Sequence, residues 1–434
     1  YNVNGDRSLV LRGGAGVFTG RVPFVWLSNQ FTNSGMLFGT VDAKTTAING
    51  GNGFDPNIEN QQNMGSGSKR TEVNLVSDDF KIPQVLRFNL AGDFKLPGGI
   101  NATLEGMVSK TMNNIVYSDI NISGSNGNIN PALSGGADVR PNYAGQRVNS
   151  TDFTNVILMS NSSRGYTYSL TTQLQKSFGF GLDLMAAYTN GQSASVNDGN
   201  SSTALSNWEF TQIVTNPNNP PLANSNFDIR HRTIGSVGYK IEYGRNKAFS
   251  TGFSLFYAGT SGSPFTYLYN GDVNGDGAFS NDLLYVPRNA SEIKLVALTG
   301  SNPATAAQQW AALDAFIEQD PYLRTRRGQY AERNGARTPW EHKFDMRITQ
   351  DLGITIKDRV HRFQLTFDIF NVGNLLNKDW GKSYFVSNNA YQLITYTTSG
   401  GGGYTFRAPK DNQAFNISDL ASRWQGQFGV RYIF

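Results

Sequence analysis

The sequence has no cysteine among its 434 residues, which excludes disulfide bonds and cysteine-ligated metal sites. Charged residues make up 16% of the chain, against roughly 25% in typical soluble domains. No apolar run approaches the about 20 residues that a membrane-spanning helix needs. Residues 1–6 have neither a basic start nor an apolar run, so no signal peptide is visible. These absences leave open a protein that crosses a membrane with strands, which need about ten alternating residues each.

Sequence motifs of known catalytic sites are also absent or incomplete. His231, His342 and His361 stand apart, without a second histidine at metal-binding spacing. Gly14 and Gly16 have no third glycine to complete a dinucleotide-binding loop, and no G-x-S-x-G segment is present. We therefore predict that the chain is not an enzyme. The net charge of +4 is spread along the chain, so we predict no nucleic-acid partner.

The sequence is rich in glycine, with 47 residues, and in aromatic residues, at 12%. It also alternates regularly between apolar and polar residues, as in 166–175, where Tyr and Leu alternate with Thr, Ser and Gln. Such alternation is typical of β-strands. We predict strands at 9–20, 86–94, 101–113, 166–175, 182–188, 232–243, 249–259, 343–352, 363–371 and 425–434.

The connections between these strands alternate in length. Short turns lie near 96–99, 177–181, 244–248 and 353–360, and long segments near 21–82, 114–162, 191–228, 260–342 and 372–423. This sorting is typical of an all-β, antiparallel transmembrane β-barrel, with turns on the periplasmic side and long loops outside. The residues Asn4-Gly5-Asp6 are a further turn signal. We expect the strand before that turn to precede Tyr1, so that residues 1–434 are part of a larger protein.

The last ten residues alternate up to the end of the chain. They resemble the C-terminal assembly signal of bacterial outer-membrane barrels, here carried by Gln427, Gly429, Tyr432 and Phe434. An ordinary antiparallel strand is the alternative.

One long segment contains a predicted helix. Asn302-Pro303 is a helix-start signal, Trp310, Leu313 and Ile317 share a face, and Pro321 ends the run. We expect the apolar face to pack on neighbouring loops.

The same segment contains a candidate calcium loop. Asp272, Asn274 and Asp276 alternate before Gly277, as in the first half of a calcium-binding loop, and Asp282 follows. The twelfth position is Leu283, where such loops have a glutamate. The alternative is a set of Asx turns that binds no metal.

Five arginines crowd one outer loop: Arg324, Arg326, Arg327, Arg333 and Arg337. They would bind lipopolysaccharide or an acidic substrate, or form a solvated loop of alternating charge with Glu332 and Glu341.

Aromatic residues near strand ends are predicted to form interfacial girdles: Trp26, Tyr117, Tyr188, Tyr257, Trp340 and Trp424. Trp208 and Tyr267 lie in loops, where they would instead stack on a sugar or peptide; the sequence alone does not separate this role from the girdle.

Several segments together resemble TonB-dependent outer-membrane transporters of the Oar-like and SusC-like branch. They are 11–30, Phe227-Asp-Ile-Arg-His-Arg232, Ser261-Gly-Ser-Pro-Phe-Thr-Tyr267, the candidate calcium loop with 281–287, and Phe370-Asn-Val-Gly-Asn-Leu-Leu-Asn377. The resemblance covers nearly the whole chain and implies the C-terminal part of a barrel of about 22 strands. The plug domain, the TonB box and the other strands of that family are not in this chain.

The resemblance also implies a function and partners. The function is active transport of an oligosaccharide or peptide across the outer membrane of a Gram-negative bacterium. The partners are the TonB–ExbB–ExbD energy complex, a SusD-like lid lipoprotein, the N-terminal half of the barrel, and outer-membrane lipid with lipopolysaccharide. A surface adhesion or structural barrel, which binds a partner through its long loops, is the alternative.

Overall fold

A computed structural model describes residues 1–35, 56–57, 59, 70–356, 359–398 and 402–433. The strands in chain order are β1 Leu9–Thr19, β2 Thr71–Val76, β3 Gln84–Leu96, β4 Ile100–Asp119, β5 Phe153–Ser162, β6 Gly165–Ser177, β7 Leu182–Ser195, β8 Ala223–Asn224, β9 His231–Tyr243, β10 Phe249–Thr260, β11 Pro264–Asn270, β12 Tyr285–Val286, β13 Gln329–Tyr330, β14 Ala336–Arg337, β15 Glu341–Ile356, β16 Arg359–Phe370, β17 Tyr384–Phe385, β18 Ala390–Thr397, β19 Gly403–Phe406, β20 Asn416–Ile417 and β21 Gln425–Ile433. The α-helices are α1 Phe24–Thr32, α2 Ala204–Glu209, α3 Ala306–Gln319, α4 Val372–Leu376 and α5 Asp419–Ser422.

Ten strands form the antiparallel main path of a 13-stranded sheet, in the order β1-β3-β4-β6-β7-β9-β10-β15-β16-β21, and β2, β5 and β8 pair off this path. Each of the ten corresponds to a predicted strand, so the predicted all-β architecture is confirmed. β1 and β21 are the two edges of this path, and no described strand joins them. None of the described helices is long and apolar enough to span a membrane.

The cross-strand register sorts side chains onto two faces. On one face Leu184, Val237, Leu255, Met346 and Ile369 are aligned across five strands. The adjacent row on the other face is polar and contains Asp183, Ser254, Arg347, Asp368 and Gln427. The same alternation of rows repeats along the sheet, so one face is apolar and the other polar.

Tight turns join the strands at one end of the sheet, which we call the turn end. Gly98 has φ +78 in the turn between β3 and β4, a conformation that favours glycine. The predicted turn at Asn4-Gly5-Asp6 is also present, since Asn2 forms a bridge with Val10 and Val3 N–H donates to the Leu9 carbonyl at 2.9 Å. Residues 1–3 therefore pair with β1 across this turn.

At the opposite end, the loop end, the long segments are folded. β2 and β5 pair in parallel, and β5 also pairs with the outer part of β4, which the sequence analysis assigned to loops. A second sheet has the order β14-β11-β18-β19. The helix α3 begins at Ala306 with Thr305 as N-cap, three residues after the predicted start at Pro303, because Thr305 and Gln308 form a capping box. Its predicted apolar face packs as expected, with Leu313 and Ile317 fully buried.

Candidate functional site

The polar face of the sheet is cross-linked by charged side chains. Arg12 on β1 lies 2.7 Å from Asp93 on β3, and Thr103 on β4 donates to the same carboxylate at 2.8 Å. At the other edge Arg347 on β15 pairs with Asp368 on β16. These pairs tie neighbouring strands together while keeping a charged, wettable wall.

The wall also contains Gln173, Gln175, Gln364, Thr366 and Asp368. Gln364 donates to Asp351 at 2.8 Å, and Asp351 also accepts from Ser250 at 2.8 Å. A hydrogen-bonded wall of this kind offers donors and acceptors to a polar solute, which an apolar wall would not.

The long segments pack on one another at the loop end, and we call their described residues the loop layer. One core joins Leu133, Phe265, Leu313 and Ile394, which come from three separate long segments. A second core contains Trp208. The long segments therefore form folded structure and not a set of independent loops.

Arg140 is the central charge of the loop layer. It is 1% exposed, lies 3.0 Å from Asp138 and 2.9 Å from Asp282, and donates to the Leu283 carbonyl at 2.7 Å. Its guanidinium also lies 4.9 Å from the centroid of the Tyr269 ring. A buried arginine with this many partners fixes two distant segments against each other.

Four of the five clustered arginines have partners inside the loop layer. Arg326 pairs with Glu332 at 3.2 Å, and Arg327 pairs with Asp314 at 2.8 Å. Arg333 is 5% exposed and donates to the Val196 carbonyl at 2.6 Å, and Arg337 pairs with Asp228. These side chains cross-link the loops, which leaves Arg324 as the exposed member of the cluster.

The candidate calcium loop closes on its own backbone. Asp272 accepts from the N–H groups of Gly275 at 2.7 Å, Asp276 at 3.1 Å and Gly277 at 2.9 Å. Asn274 donates to the Asp276 carboxylate at 3.0 Å. Such bonds are those of Asx turns. Within the described residues, no group of three or more His, Asp or Glu side chains is arranged to hold a metal.

The Asp282 carboxylate is already engaged within the protein, because it pairs with Arg140 and accepts a hydrogen bond from the Val273 N–H at 2.7 Å. This argues against Asp282 as a metal ligand. The loop is nevertheless rich in buried negative charge. Burial raises the pKa of Asp272, Asp276 and Asp282 to about 6 each, and repulsion between these carboxylates adds to the effect. The side-chain amide of Asn281 donates to Asp276 at 2.8 Å, so Asn281 is also part of this loop's hydrogen-bond network. The calcium assignment stays a prediction.

A polar cavity lies where the wall meets the loop layer, and we call it the junction pocket. Its volume is about 300 Å³. Arg87, Ser109 and Thr167 come from the wall, and Trp26 and Asp198 come from the loop layer. The pocket combines a cation, hydroxyl groups and an aromatic ring, the groups that bind polar solutes. Sequence reasoning did not single out Arg87 or Asp198, because neither belongs to a local motif.

A second cavity of about 430 Å³ in the loop layer is lined mainly by amide side chains. Asn200, Gln212, Asn226 and Gln392 contribute to it, together with the ring of Phe210. Amides can donate and accept at once, so this cavity also suits a neutral polar ligand.

Two predicted ligand-stacking aromatics are not available to a ligand. Trp208 is 2% exposed and Tyr267 is 0% exposed, each within a loop-layer core. Those predictions were wrong because the loops are folded and bury their aromatic residues. Trp26 and Tyr117 were likewise wrongly assigned to a girdle, since their rings pack together in the second core at 6.4 Å.

Comparison with known proteins decides the family. The outer membrane beta barrel domain family matches residues 1–407. The chain belongs to this family. The barrel domain is therefore an outer-membrane protein, as the sequence predicted, and its apolar face is the lipid-facing surface.

A search of curated proteins found no match. Among solved structures, the outer membrane transporter YddB from Escherichia coli aligns with a TM-score of 0.45 and 10% identity. The alignment covers 100% of this chain and 40% of the transporter, so the chain spans less than half of that protein's length.

The lipid-facing surface of the barrel domain carries a row of stacked rings at the loop end. Tyr188, His231, Trp340, His342 and Tyr257 follow one another with centroid separations of 5.9–6.1 Å. The hydroxyl groups of Tyr188 and Tyr257 lie 2.7 Å and 2.8 Å from the Nδ1 atoms of His231 and His342. The girdle prediction therefore holds for Tyr188, Tyr257 and Trp340 at this end.

The proposed assembly signal lies on β21. Gln427 and Gly429 are on the polar face, opposite Asp368 and Thr366 of β16. Tyr432 is on the lipid-facing surface, where its ring stacks on His361 at 5.8 Å. Phe434 lies outside the described residues. The role of these four residues in assembly stays a prediction.

Proposed function

We propose that the barrel domain is the C-terminal part of a TonB-dependent transporter of the Oar-like and SusC-like branch. Its function would be active uptake of an oligosaccharide or peptide across the outer membrane. The observation that supports this most is the junction pocket, a polar cavity placed where a polar wall meets a folded loop layer. Adhesion by long loops would need no such cavity above a hydrogen-bonded wall.

In the proposed mechanism, the loop layer and the junction pocket bind the nutrient first. A plug domain on the N-terminal part of the protein would then be pulled by the TonB–ExbB–ExbD complex, which opens a path along the wall. Gln173, Gln364 and Thr366 would exchange hydrogen bonds with the solute as it moves. No described strand joins β1 to β21, and this supports the expectation that an N-terminal half completes the barrel, because an unpaired strand edge in lipid is costly.

The other partners follow from the same proposal. A SusD-like lid lipoprotein would cover the loop layer, and lipid with lipopolysaccharide would surround the lipid-facing surface. Calcium would bind the loop at Asp272, Asn274 and Asp276, where it would neutralise the buried carboxylates. This part of the proposal is supported by the burial of Asp272 and Asp276 beside other carboxylates, which raises the pKa of both groups.

The test uses Arg87→Gln in the full-length protein, with Lys95→Gln as a matched control on the same strand. Both side chains are on the polar face of β3, but Lys95 lies at the turn end. We expect Arg87→Gln to reduce binding and uptake of the substrate, and Lys95→Gln to leave both unchanged. Deleting the TonB complex should abolish uptake without reducing surface binding. Uptake that persists without that complex would contradict TonB-dependent transport, and binding without any uptake would favour the adhesion alternative.

A further inference from the structure

A short segment after β16 folds back onto the lipid-facing surface of the barrel. It comprises α4 and the residues up to Tyr384, and we call it the rim segment. Gly373 of α4 adjoins Phe344 of β15: a Cβ atom at Gly373 would lie 3.9 Å from the Phe344 ring. Phe344 belongs to the lipid-facing surface, because it is paired with Tyr257 in the register of that face. The rim segment therefore covers the outside of the wall at the loop end.

The rim segment is held firmly in this position. Asn371 donates its backbone N–H to Asp345 at 2.7 Å and its side-chain amide to the carbonyls of Gly381 at 2.9 Å and Ser422 at 2.7 Å. Asn374 donates to the carbonyl of Trp380 at 3.1 Å. The segment is thus a fixed part of the fold, and its exposed side chains are presented in one arrangement.

The exposed side chains from Leu375 to Trp380 include three polar or charged ones, Asn377, Lys378 and Asp379, and three large apolar ones. Leu376 is 74% exposed, Trp380 is 57% exposed and Leu375 is 44% exposed. Three such side chains within six residues would be unfavourable in water, since burying a leucine contributes about 1.5–3 kcal/mol. An environment other than water is expected around them.

A cavity of about 460 Å³ lies beneath the rim segment. It is lined by Trp340, His342 and Phe344 of the lipid-facing surface and by Trp380 and Tyr384 of the rim segment. Asp379 and Lys382 also line it and form an ion pair at 2.8 Å. The cavity shares Trp340 and His342 with the row of stacked rings, and it combines aromatic walls with this ion pair.

We infer that the rim segment is a lipid-binding element of the barrel domain. It lies in the leaflet at the loop end, with Leu376 and Trp380 among acyl chains and one chain of a membrane lipid in the cavity beside Phe344. The Lys382–Asp379 ion pair lies at the level of the headgroups, where charged side chains meet the membrane interface. Continuity with the lipid-facing surface selects a lipid as the occupant, in preference to a protein partner above the loop layer.

Residues 1–434 have no cysteine, so single cysteines introduced there can carry a spin label once any cysteine elsewhere in the full-length protein is replaced by serine. We would label Leu376→Cys in the full-length protein reconstituted in phosphatidylcholine vesicles. Val430→Cys, 63% exposed on the lipid-facing surface of β21, is the lipid reference, and Phe279→Cys, 65% exposed in the candidate calcium loop, is the water reference. We expect the label at 376 to collide often with oxygen and rarely with a water-soluble nickel chelate, as at 430. Collision rates like those at 279 would overturn the inference and leave a protein partner as the occupant.

A second measurement needs no label at the rim. Vesicles with brominated acyl chains should quench part of the tryptophan fluorescence, and Trp380→Phe should remove a share of that quenching. Trp310→Phe, in the core-packed helix α3, should leave the quenching unchanged. Equal quenching in the wild type and in Trp380→Phe would contradict the inference, provided that both proteins keep the same heat-dependent electrophoretic mobility.

Discussion

Asp276 shows how single buried charges set the stability of the loop layer. It is 1% exposed, and burial raises its pKa from an ordinary value of 3.8 to about 6. A carboxyl whose pKa is raised on folding favours the folded state when it is protonated. Its stabilising contribution is therefore full below pH 3.8 and is lost as the pH rises through about 6.

We expect the unfolding midpoint of the loop layer to rise when the pH falls from 7.5 to 5. The gain in unfolding free energy between pH 7.5 and pH 5 should be smaller in Asp276→Asn by on the order of 1–3 kcal/mol, because one ionisation is removed. The unpartnered Oδ1 of Asn281 can turn to accept from the new amide. Thermal unfolding followed by tryptophan fluorescence checks this, with exposed Asp78→Asn as the control. If Asp276→Asn responded to pH as the wild type does, ionisation of Asp276 would not destabilise the folded state.

A bound divalent cation would relieve the repulsion between the Asp272 and Asp276 carboxylates without protonation of either group. We therefore expect millimolar Ca²⁺ at pH 7.5 to raise the unfolding midpoint of the wild type and to have little effect on Asp276→Asn. Mg²⁺ should act more weakly, since it demands an octahedral geometry that this loop does not present. A thermal-shift titration decides: an unchanged wild-type midpoint would leave the Asx turns as the complete account of the loop.

At the scale of elements, Gly259 on β10 shows how the girdle is built. A Cβ atom at Gly259 would overlap the hydroxyl group of Tyr257, which folds back toward the next strand and stacks on His342. Glycine here is required by the close approach of an aromatic ring from the same strand. Gly106 on β4 also belongs to the lipid-facing surface, but a Cβ atom there would meet nothing within 4 Å.

These two glycines make a matched pair for mutation. Gly259→Ala should displace the Tyr257 ring and weaken its hydrogen bond to His342, with a loss of about 1–2 kcal/mol in stability. Gly106→Ala should be neutral or slightly stabilising, because alanine loses less backbone entropy on folding. The temperature at which the folded band disappears on electrophoresis is the measurement. Equal behaviour of the two variants would show that the Tyr257–His342 pair contributes little.

The ten sheet strands were predictable because their signal is local. In 166–175 the alternation of side chains repeats every two residues, so a short window is sufficient. The loop layer has no such signal. Arg140 and Asp282 are 142 residues apart, and Arg333 reaches the Ser195 carbonyl across 138 residues. The six-residue strand β2 was missed because its alternation is too short to stand out beside a stretch rich in Asn and Gly.

The candidate site divides in the same way. The polar wall is predictable from the sequence, since the alternation in regular strands places Gln173 and Gln364 with other polar residues on one face. The junction pocket was not, because Arg87 and Asp198 meet only when a long segment folds back over the wall. The burial of Trp208 could not be predicted either, since the local sequence around a loop aromatic is the same whether the loop packs into a core or is solvated.

At the scale of the whole molecule, the two ends of the sheet differ in a way that fixes its orientation. The turn end carries short connections such as 244–248, whereas the loop end carries the folded loop layer. Outer-membrane barrels place short turns in the periplasm and long loops outside. The rim segment and the stacked row from Tyr188 to Tyr257 would then lie at the outer leaflet, and the loop layer would meet the medium.

This orientation is testable in intact cells with an impermeant maleimide and two single-cysteine variants of the chain. Phe279→Cys is in the loop layer and 65% exposed, and Arg245→Cys is in the turn between β9 and β10. We expect Phe279→Cys to react in intact cells and Arg245→Cys to react only after the outer membrane is permeabilised. Labelling both in lysed cells controls for intrinsic reactivity. The reverse pattern would place the loop layer in the periplasm, where a nutrient-capturing role for the junction pocket would fail.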